Sequence, residues 1–263
     1  MNLNFNHTNI RYRDQGKGSP VVLLHGYLES LNIWDDFAKA LSSDFRVITV
    51  DLPGHGESGI PGKISTMEGM AECVNAVLVH LDIKKTTVIG HSMGGYATLA
   101  FVEMYPEKVS ALGLFHSVSW EDTGEKKKNR DREIEMIRQG KKNVLINTNI
   151  PTGFASDNLD KFQKEIALAK KIAMQSSPEG IIAVLEGMKA RKNRTFLIEQ
   201  TNKPVLFFIG KKDNYIPAER MLELASKAKN KYVVVLEKSG HMGFVEEKQM
   251  ALDELEYFMK HLI

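Results

Sequence analysis

The feature that most constrains this chain is the motif Gly90-His91-Ser92-Met93-Gly94, which lies between a strand-forming run and a helix-forming segment. Residues 86–89 are rich in β-branched side chains, and residues 97–104 follow with helical character. Such a tight strand-to-helix turn exposes a serine hydroxyl and needs small residues two positions away on each side. The motif predicts Ser92 as a nucleophile. A structural glycine-rich turn is the alternative interpretation, which the flanking strand and helix disfavour.

Short apolar runs alternate with segments of helical periodicity over most of the chain. This alternation predicts an α/β fold, with a mostly parallel, twisted sheet flanked by helices. A capping-box pattern at residues 65–68 predicts the start of a helix that runs to about residue 81. Pro217 fits the first turn of another helix. The predicted strands cover residues 21–24, 45–50, 86–89, 111–115, 205–209 and 232–236.

The alternation stops between residues 118 and 202. This region has helical periodicity at 131–139, 160–174 and 178–189, and it has no convincing strand. It is far longer than a one-helix crossover between two strands. We therefore expect a helical cap, residues 118–202, inserted into a core of residues 1–117 and 203–263. Open α/β sheets bind ligands at the carboxyl ends of their strands, so a cap there would form one wall of a pocket.

Charge and composition exclude several classes of function. The formal net charge is +2, and the one basic run, Lys126–Lys128, is flanked by acidic residues, so we expect a solvated surface stretch and no nucleic-acid partner. No apolar run is long enough to cross a membrane, and no signal peptide is recognisable, so we expect a cytoplasmic protein. The single cysteine, the absence of an H-E-x-x-H pattern and the absence of a phosphate-binding loop predict no metal and no cofactor.

A serine nucleophile needs a base, and the chain has eight histidines. His241 lies in a glycine-flanked loop just after the last predicted strand, at the same sheet edge as Ser92, and is the best candidate. His116 ends a strand and is a candidate for the pocket wall. The remaining histidines are assigned to the surface (His7, His80, His261) or to hydrogen bonds between loops (His25, His55, His91).

The base in turn needs a carboxylate to orient it. Asp213 follows the strand at residues 205–209, and is the predicted acid. The rival position, the loop after residues 111–115, offers no acid before Glu121 and Asp122. A surface turn is the alternative interpretation of Asp213.

Four motifs together resemble one family: His25-Gly26-Tyr27, the loop from Asp51 to Ser58, Gly90 to Gly95, and Ser239-Gly240-His241. The chain is similar to the α/β-hydrolase superfamily, specifically to its capped esterase and lactonase-like branch. The resemblance implies a triad in the order Ser92, Asp213, His241. It also implies an oxyanion hole made of the backbone N–H groups of Tyr27 and Met93.

The same resemblance limits the chemistry. Family members with an aspartate nucleophile are excluded, because position 92 is serine. Lyases of menaquinone synthesis resemble the chain at residues 90–95 but usually continue with an arginine that binds the substrate carboxylate. Here that position is Tyr96, although Arg132 or Arg191 from the cap could compensate.

We therefore expect a serine hydrolase that cleaves carboxylic esters or lactones of small to medium hydrophobic substrates through an acyl-serine intermediate. The alternatives are a lyase that uses the same triad as a base, and a catalytically silent binding protein, against which the intact triad argues. Beyond the triad, the predicted pocket walls are His116 and the cap residues Met136, Met174 and Met188.

Overall fold

The computed structural model, which describes residues 1–263, is built around one eight-stranded sheet. The strands are β1 (Asn2–Phe5), β2 (Thr8–Gln15), β3 (Ser19–Leu24), β4 (Phe45–Val50), β5 (Thr86–His91), β6 (Val109–Phe115), β7 (Val205–Gly210) and β8 (Lys231–Leu236). Their spatial order is β1-β2-β4-β3-β5-β6-β7-β8. β1 and β2 are antiparallel to their neighbours, and β3 to β8 are mutually parallel.

The six parallel strands correspond to the six predicted runs, so the predicted fold class is confirmed. β5 and β7 are buried along their whole length, which explains their unbroken lack of charged residues. The two amino-terminal strands were not predicted. In β2 the buried side chains, Thr8, Ile10 and Tyr12, alternate with exposed or half-buried ones, so the strand carries only two large apolar residues as a signal.

Helices cover both faces of the sheet and fill the long connection between β6 and β7. They are α1 (Asp35–Leu41), α2 (Met67–His80), α3 (Met93–Met104), α4 (Gly124–Arg138), α5 (Lys142–Thr152), α6 (Gln163–Gln175), α7 (Pro178–Ala190), α8 (Thr195–Gln200), α9 (Ala218–Ser226), α10 (Gly243–Glu246) and α11 (Lys248–His261), with short 3-10 turns at Leu31–Trp34, Pro106–Lys108 and Ser156–Asn158. None is long and apolar enough to span a membrane.

Three helix starts differ from the sequence predictions. The N-cap of α2 is Thr66, whose hydroxyl accepts a hydrogen bond from Gly69 N, and not Ser65. Pro217 is the N-cap of α9, one position before the first turn. α3 begins at Met93, directly after the predicted nucleophile, because tertiary packing overrides the low helix propensity of the glycine pair that follows.

The connection between β6 and β7, residues 118–202, is called the insert below. It contains α4 to α8 and no strand. α5 was not predicted, because its asparagines, β-branched residues and Pro151 are poor helix formers. α8 was also not predicted; it has only six residues.

Three side chains attach the insert to the core: the buried Glu246 and Arg194, and the exposed Asn214. Glu246 accepts hydrogen bonds from Ala155 N at 2.8 Å and Asn158 Nδ2 at 2.8 Å, and its other oxygen accepts from Gly240 N at 2.8 Å. Asn214 donates to the backbone carbonyls of the segment after α5. Arg194, at the other end of the insert, is fully buried and bonds to carboxylates on α2 and α3. The loops after β7 and β8 are therefore fixed to residues 152–158.

Candidate active site

Ser92 lies in the sharp turn between β5 and α3, with φ 49° and ψ −115°. Its N–H donates to the Phe115 carbonyl at 2.9 Å, and its own carbonyl accepts from Ser117 Oγ at 2.7 Å, so the strained conformation is fixed from both sides. A Cβ at Gly90 would lie 2.2 Å from backbone atoms of Gly94. The turn therefore requires the glycines of the motif.

The two predicted oxyanion donors are backbone groups without partners in the chain. Met93 N–H is the first of the helix α3, and Tyr27 N–H belongs to the loop after β3; neither donates a hydrogen bond. The conformation of the Tyr27 loop is set by His55, whose Nε2 accepts from Leu28 N at 2.8 Å. Leu28 itself has φ 61°, a left-handed backbone conformation. Both N–H groups are thus left without an acceptor in the chain, and Tyr27 lines the same cavity as Ser92.

The predicted base and acid are hydrogen-bonded to each other. His241 Nδ1 lies 2.7 Å from Asp213 Oδ2, and Asp213 Oδ1 accepts from the N–H groups of Tyr215 at 2.7 Å and Ile216 at 3.0 Å. Burial alone would raise the pKa of Asp213, but the charge and hydrogen bond of His241 outweigh it and lower that pKa to about 2. Asp213 is therefore ionised near neutral pH and accepts a hydrogen bond from His241 Nδ1, so Nε2 of the neutral ring carries no proton.

His241 is also held through its backbone. Its N–H donates to Gly153 O in the insert at 2.7 Å, and its carbonyl accepts from His91 Nε2 at 2.9 Å. The other ring nitrogen of His91 lies 3.0 Å from Glu29 Oε2. Sequence reasoning assigned His91 to hydrogen bonds between loops, which the structure bears out, but it missed Glu29, which no motif marked.

His116 does not line the cavity, so the prediction that it forms a pocket wall is corrected. It is fully buried behind the acid, where its Nδ1 accepts from Gly210 N at 3.0 Å and lies 3.7 Å from Asp213 Oδ2. Burial holds the pKa of His116 well below its ordinary value. It is a neutral packing residue that shields the Asp213 carboxylate from solvent.

Ser92 and His241 face one cavity of about 270 Å³, whose walls come from the core and the insert. Tyr27 and Met188 also line it. Met136 and Met174 do not, so their predicted role as pocket walls is corrected: they are half-buried and pack against the hydrophobic core. They were predicted as pocket walls because they are apolar residues of the predicted cap. An apolar residue on such a helix packs against neighbouring elements as often as against a cavity.

The cavity also has a charged wall that the sequence did not reveal. Asp122, at the start of the insert, accepts hydrogen bonds from Arg130 in α4 and from Arg191 after α7. Lys126 and Glu133 of α4 line the cavity beside them. All three lysines of the run 126–128 are exposed, as expected, and Lys126 also lines the cavity. Elsewhere in the chain, no group of three or more His, Cys, Asp or Glu side chains is arranged to hold a metal ion.

The fold and the motifs agree with the comparisons to known proteins. A family model described as α/β-hydrolase fold matches residues 19–123 and 119–248. The dihydrolipoyllysine-residue acetyltransferase component of an acetoin cleaving system from Pseudomonas putida is 30% identical over 247 residues, which make up 92% of this chain and 64% of that relative. The chain therefore spans less than two thirds of the length of that relative.

Two solved structures superpose closely on the chain. An esterase from Thermogutta terrifontis, with malate bound, has a TM-score of 0.93 at 28% identity and covers 96% of this chain and 93% of its own. The enol-lactonase of Burkholderia xenovorans LB400 has a TM-score of 0.92 at 22% identity, with 99% and 100% covered, and is similar in fold. The chain belongs to the α/β-hydrolase family.

Proposed function

We propose that the protein hydrolyses carboxylic esters or lactones through an acyl-serine intermediate. One observation carries the proposal: a strained serine at a helix amino terminus and a carboxylate-bound histidine face the same cavity. Serine, histidine and aspartate in these relations form the machinery of acyl transfer. The similarity to the Thermogutta terrifontis esterase supports the choice of an ester bond.

In the first half-reaction, Ser92 Oγ attacks the carbonyl carbon of the substrate while His241 Nε2 takes the hydroxyl proton. The carbonyl oxygen becomes an oxyanion, to which Met93 N–H and Tyr27 N–H donate hydrogen bonds. His241 then protonates the leaving alkoxide, the carbon–oxygen bond breaks, and an acyl-serine and an alcohol result. Asp213 stays ionised throughout and stabilises the imidazolium.

In the second half-reaction, His241 takes a proton from water, and the resulting hydroxide adds to the acyl carbon. The same two N–H groups stabilise the second oxyanion. His241 returns the proton to Ser92 Oγ as the acyl–oxygen bond breaks and the carboxylic acid leaves. His241 forms no side-chain hydrogen bond except that to Asp213, so its Nε2 is available to both protons.

The decisive experiment tests for a covalent acyl-enzyme. With p-nitrophenyl acetate we expect a burst of p-nitrophenol equal to the enzyme concentration, and a fluorophosphonate should add its mass to the peptide that contains Ser92. Ser92→Ala should abolish both. Ser43→Ala, at an exposed serine far from the cavity, is the matched control and should retain both.

A lyase that uses the triad only as a base is the second candidate. One contact favours it. Tyr96 occupies the position where the menaquinone-pathway lyases usually have an arginine, and the guanidinium carbon of Arg191 lies 4.0 Å from the centre of the Tyr96 ring. Such an enzyme would react with the fluorophosphonate but would give no burst from any ester or lactone. Turnover of a β-elimination substrate without a burst from esters would contradict ester hydrolysis.

A further inference from the structure

Two buried arginines share one carboxylate on the wall of the cavity. Asp122 is fully buried; Arg130 bonds to both of its oxygens, and Arg191 Nη1 lies 2.5 Å from Oδ1. The side chains of Arg130 and Arg191 are only 10% and 4% exposed. Two positive charges therefore face one negative charge in a region with little water. An uncompensated buried charge is costly, and an anion bound beside it would relieve that cost.

Each guanidinium keeps a nitrogen free. Arg130 bonds to Asp122 through Nε and Nη2, and Arg191 bonds to protein atoms through Nε and Nη1. Nη1 of Arg130 and Nη2 of Arg191 have no acceptor in the chain, and both residues line the cavity. Two free donors on planar, fixed guanidinium groups suit a carboxylate, which accepts such paired hydrogen bonds.

The contact of Arg191 with Tyr96 holds the guanidinium in the cavity that Ser92 also lines. The Arg191 guanidinium stacks on the Tyr96 ring at 4.0 Å. Ser92 is the N-cap of α3 and Tyr96 is the fourth residue of that helix, and Ser92, Tyr96 and Arg191 all line the cavity. An anion bound by Arg191 would therefore occupy the same cavity, of about 270 Å³, as a carbonyl attacked by Ser92.

The other charged groups of the cavity do not cancel this excess. Glu29 is paired with His91, and Glu121 is exposed. Burial raises the pKa of Glu133, which disfavours its charged form. Lys126 adds a further cation, and its pKa is lowered by burial and then by Arg130. Arg220 stacks on Trp120 at 4.4 Å and is exposed.

We infer that Arg191 and Arg130 bind a carboxylate group of the substrate, so that the preferred substrates are acidic esters, such as half-esters of short dicarboxylic acids. This inference rests on the proposed ester hydrolysis and specifies its substrate class. It differs from the expectation of small to medium hydrophobic substrates. The apolar surface of the cavity contacts the acyl chain of the substrate, and the arginines bind its terminal carboxylate.

The test compares two p-nitrophenyl esters with the same number of acyl carbons: the glutarate half-ester, which carries a carboxylate, and the neutral pentanoate. Rates are corrected for the uncatalysed hydrolysis of each ester. For the wild type we expect kcat/KM to be at least about tenfold higher for the half-ester, as charged hydrogen bonds provide. Free glutarate should inhibit hydrolysis of the pentanoate competitively, whereas glutaramide at the same concentration should not.

Arg191→Gln should reduce the preference for the half-ester about tenfold or more and weaken inhibition by glutarate to the same extent. Arg191→Lys keeps the charge but loses the planar pair of donors, so it should give an intermediate ratio. Arg132→Gln removes an exposed arginine of α4 that does not line the cavity, so this control should retain the wild-type ratio. Circular dichroism and thermal melts establish that each variant is folded.

The outcomes separate the two proposals. Turnover of both esters at equal kcat/KM by the wild type, with no inhibition by glutarate, would overturn the carboxylate site and leave ester hydrolysis standing. An unchanged ratio of kcat/KM for the half-ester to kcat/KM for the pentanoate in a folded Arg191→Gln protein would also overturn the carboxylate site. If Arg191→Gln does not fold, the wild-type ratio and the glutarate inhibition decide alone. Absence of turnover and of a burst with either ester would overturn ester hydrolysis itself.

Discussion

His91 Nε2 donates a hydrogen bond of 2.9 Å to the backbone carbonyl of His241. The residue before the proposed nucleophile is thus bonded to the residue proposed as its base. A carbonyl oxygen can only accept, so Nε2 carries a proton, while Nδ1 faces a Glu29 oxygen that also accepts from Gly26 N. Burial lowers the pKa of His91, but the Glu29 carboxylate outweighs this and raises it above 6.5. Glu29 and His91 therefore form a buried ion pair that positions the His241 loop.

The ion pair predicts a pH dependence of stability that Glu29→Gln should remove. The contribution of His91 is complete below the unfolded pKa of 6.5, and it is lost as the pH rises through the higher folded value. Glu29 has a lowered pKa, so its contribution is present above 4.5 and is lost as the pH falls through the folded value. We expect the wild-type Tm to fall between pH 6.5 and 9. The Glu29→Gln variant should have a lower Tm than the wild type at pH 6, and its Tm should fall less as the pH rises. Parallel Tm profiles would refute the ion pair.

Asp213→Asn should fold and should lower kcat by about 10³- to 10⁴-fold, because an amide no longer holds the correct tautomer of His241. Steady-state kinetics on a p-nitrophenyl ester measure the loss. Asp157→Asn is the matched control, since Asp157 is exposed and pairs only with Lys212 in the 3-10 turn Ser156–Asn158. Near wild-type turnover by Asp213→Asn would mean that another group orients the base.

Local patterns carried most of what could be predicted. The parallel strands β5 and β7 are buried on both faces and therefore appear as runs without charged residues. The turn at Ser92 can be built only with glycines at fixed positions. His241 and Asp213 follow the last two strands of the parallel sheet. Because the carboxyl ends of parallel strands share one edge, the order of elements was sufficient to bring these residues together.

The rest of the site depends on contacts that leave no local signal. Asp122 and Arg191 are separated by 69 positions, and each alone has the sequence context of a surface charge. Which side of an insert helix faces the cavity is decided by how the helices pack, so Met188 lines it while Met136 and Met174 do not. For the same reason, the sequence placed a hydrophobic pocket where the structure has a charged wall.

Glu133→Gln should stabilise the protein at pH 7 to 8. Burial raises the pKa of Glu133 above 4.5, so the folded chain holds a proton that the unfolded chain releases, and stability falls as the pH rises through that interval. Glutamine keeps the acceptor for Asn149 Nδ2 and has no charge to bury. Thermal melts should show that Tm decreases less between pH 4.5 and pH 8 for the variant than for the wild type. Glu135→Gln, on the exposed side of α4, is the control; an equal effect from both would reject this explanation.

Esters of short acyl chains should be cleaved much faster than esters of long ones. A cavity of about 270 Å³ lies just below the usual range for small-molecule sites, and residues of the insert form part of its wall. With p-nitrophenyl esters, kcat/KM should fall steeply between six and sixteen acyl carbons. Equal rates on acetate and palmitate, measured below the critical micelle concentration of each ester, would mean that the insert opens to admit long chains.

Hydrogen exchange should divide the insert into two parts. α6 has only Ile166 and Ala173 buried, so its amides should exchange faster than those of β5 and β7. Residues 153–155 should exchange slowly, because their N–H groups donate to Ile150 O, Pro151 O and the Glu246 carboxylate. A movement of α6 would then open the cavity without displacing the base.

Glu246→Gln tests that attachment, because glutamine has one acceptor oxygen where the carboxylate uses two. We expect faster exchange at Ala155 and Gly240 and a reduced kcat, since the His241 loop loses its connection to the insert. Glu256→Gln, on the exposed side of α11, should change neither. Uniformly slow hydrogen exchange across α6 and the sheet would show instead that the whole insert is part of the main core. Access to the cavity would then have to be explained by the loop at Tyr27.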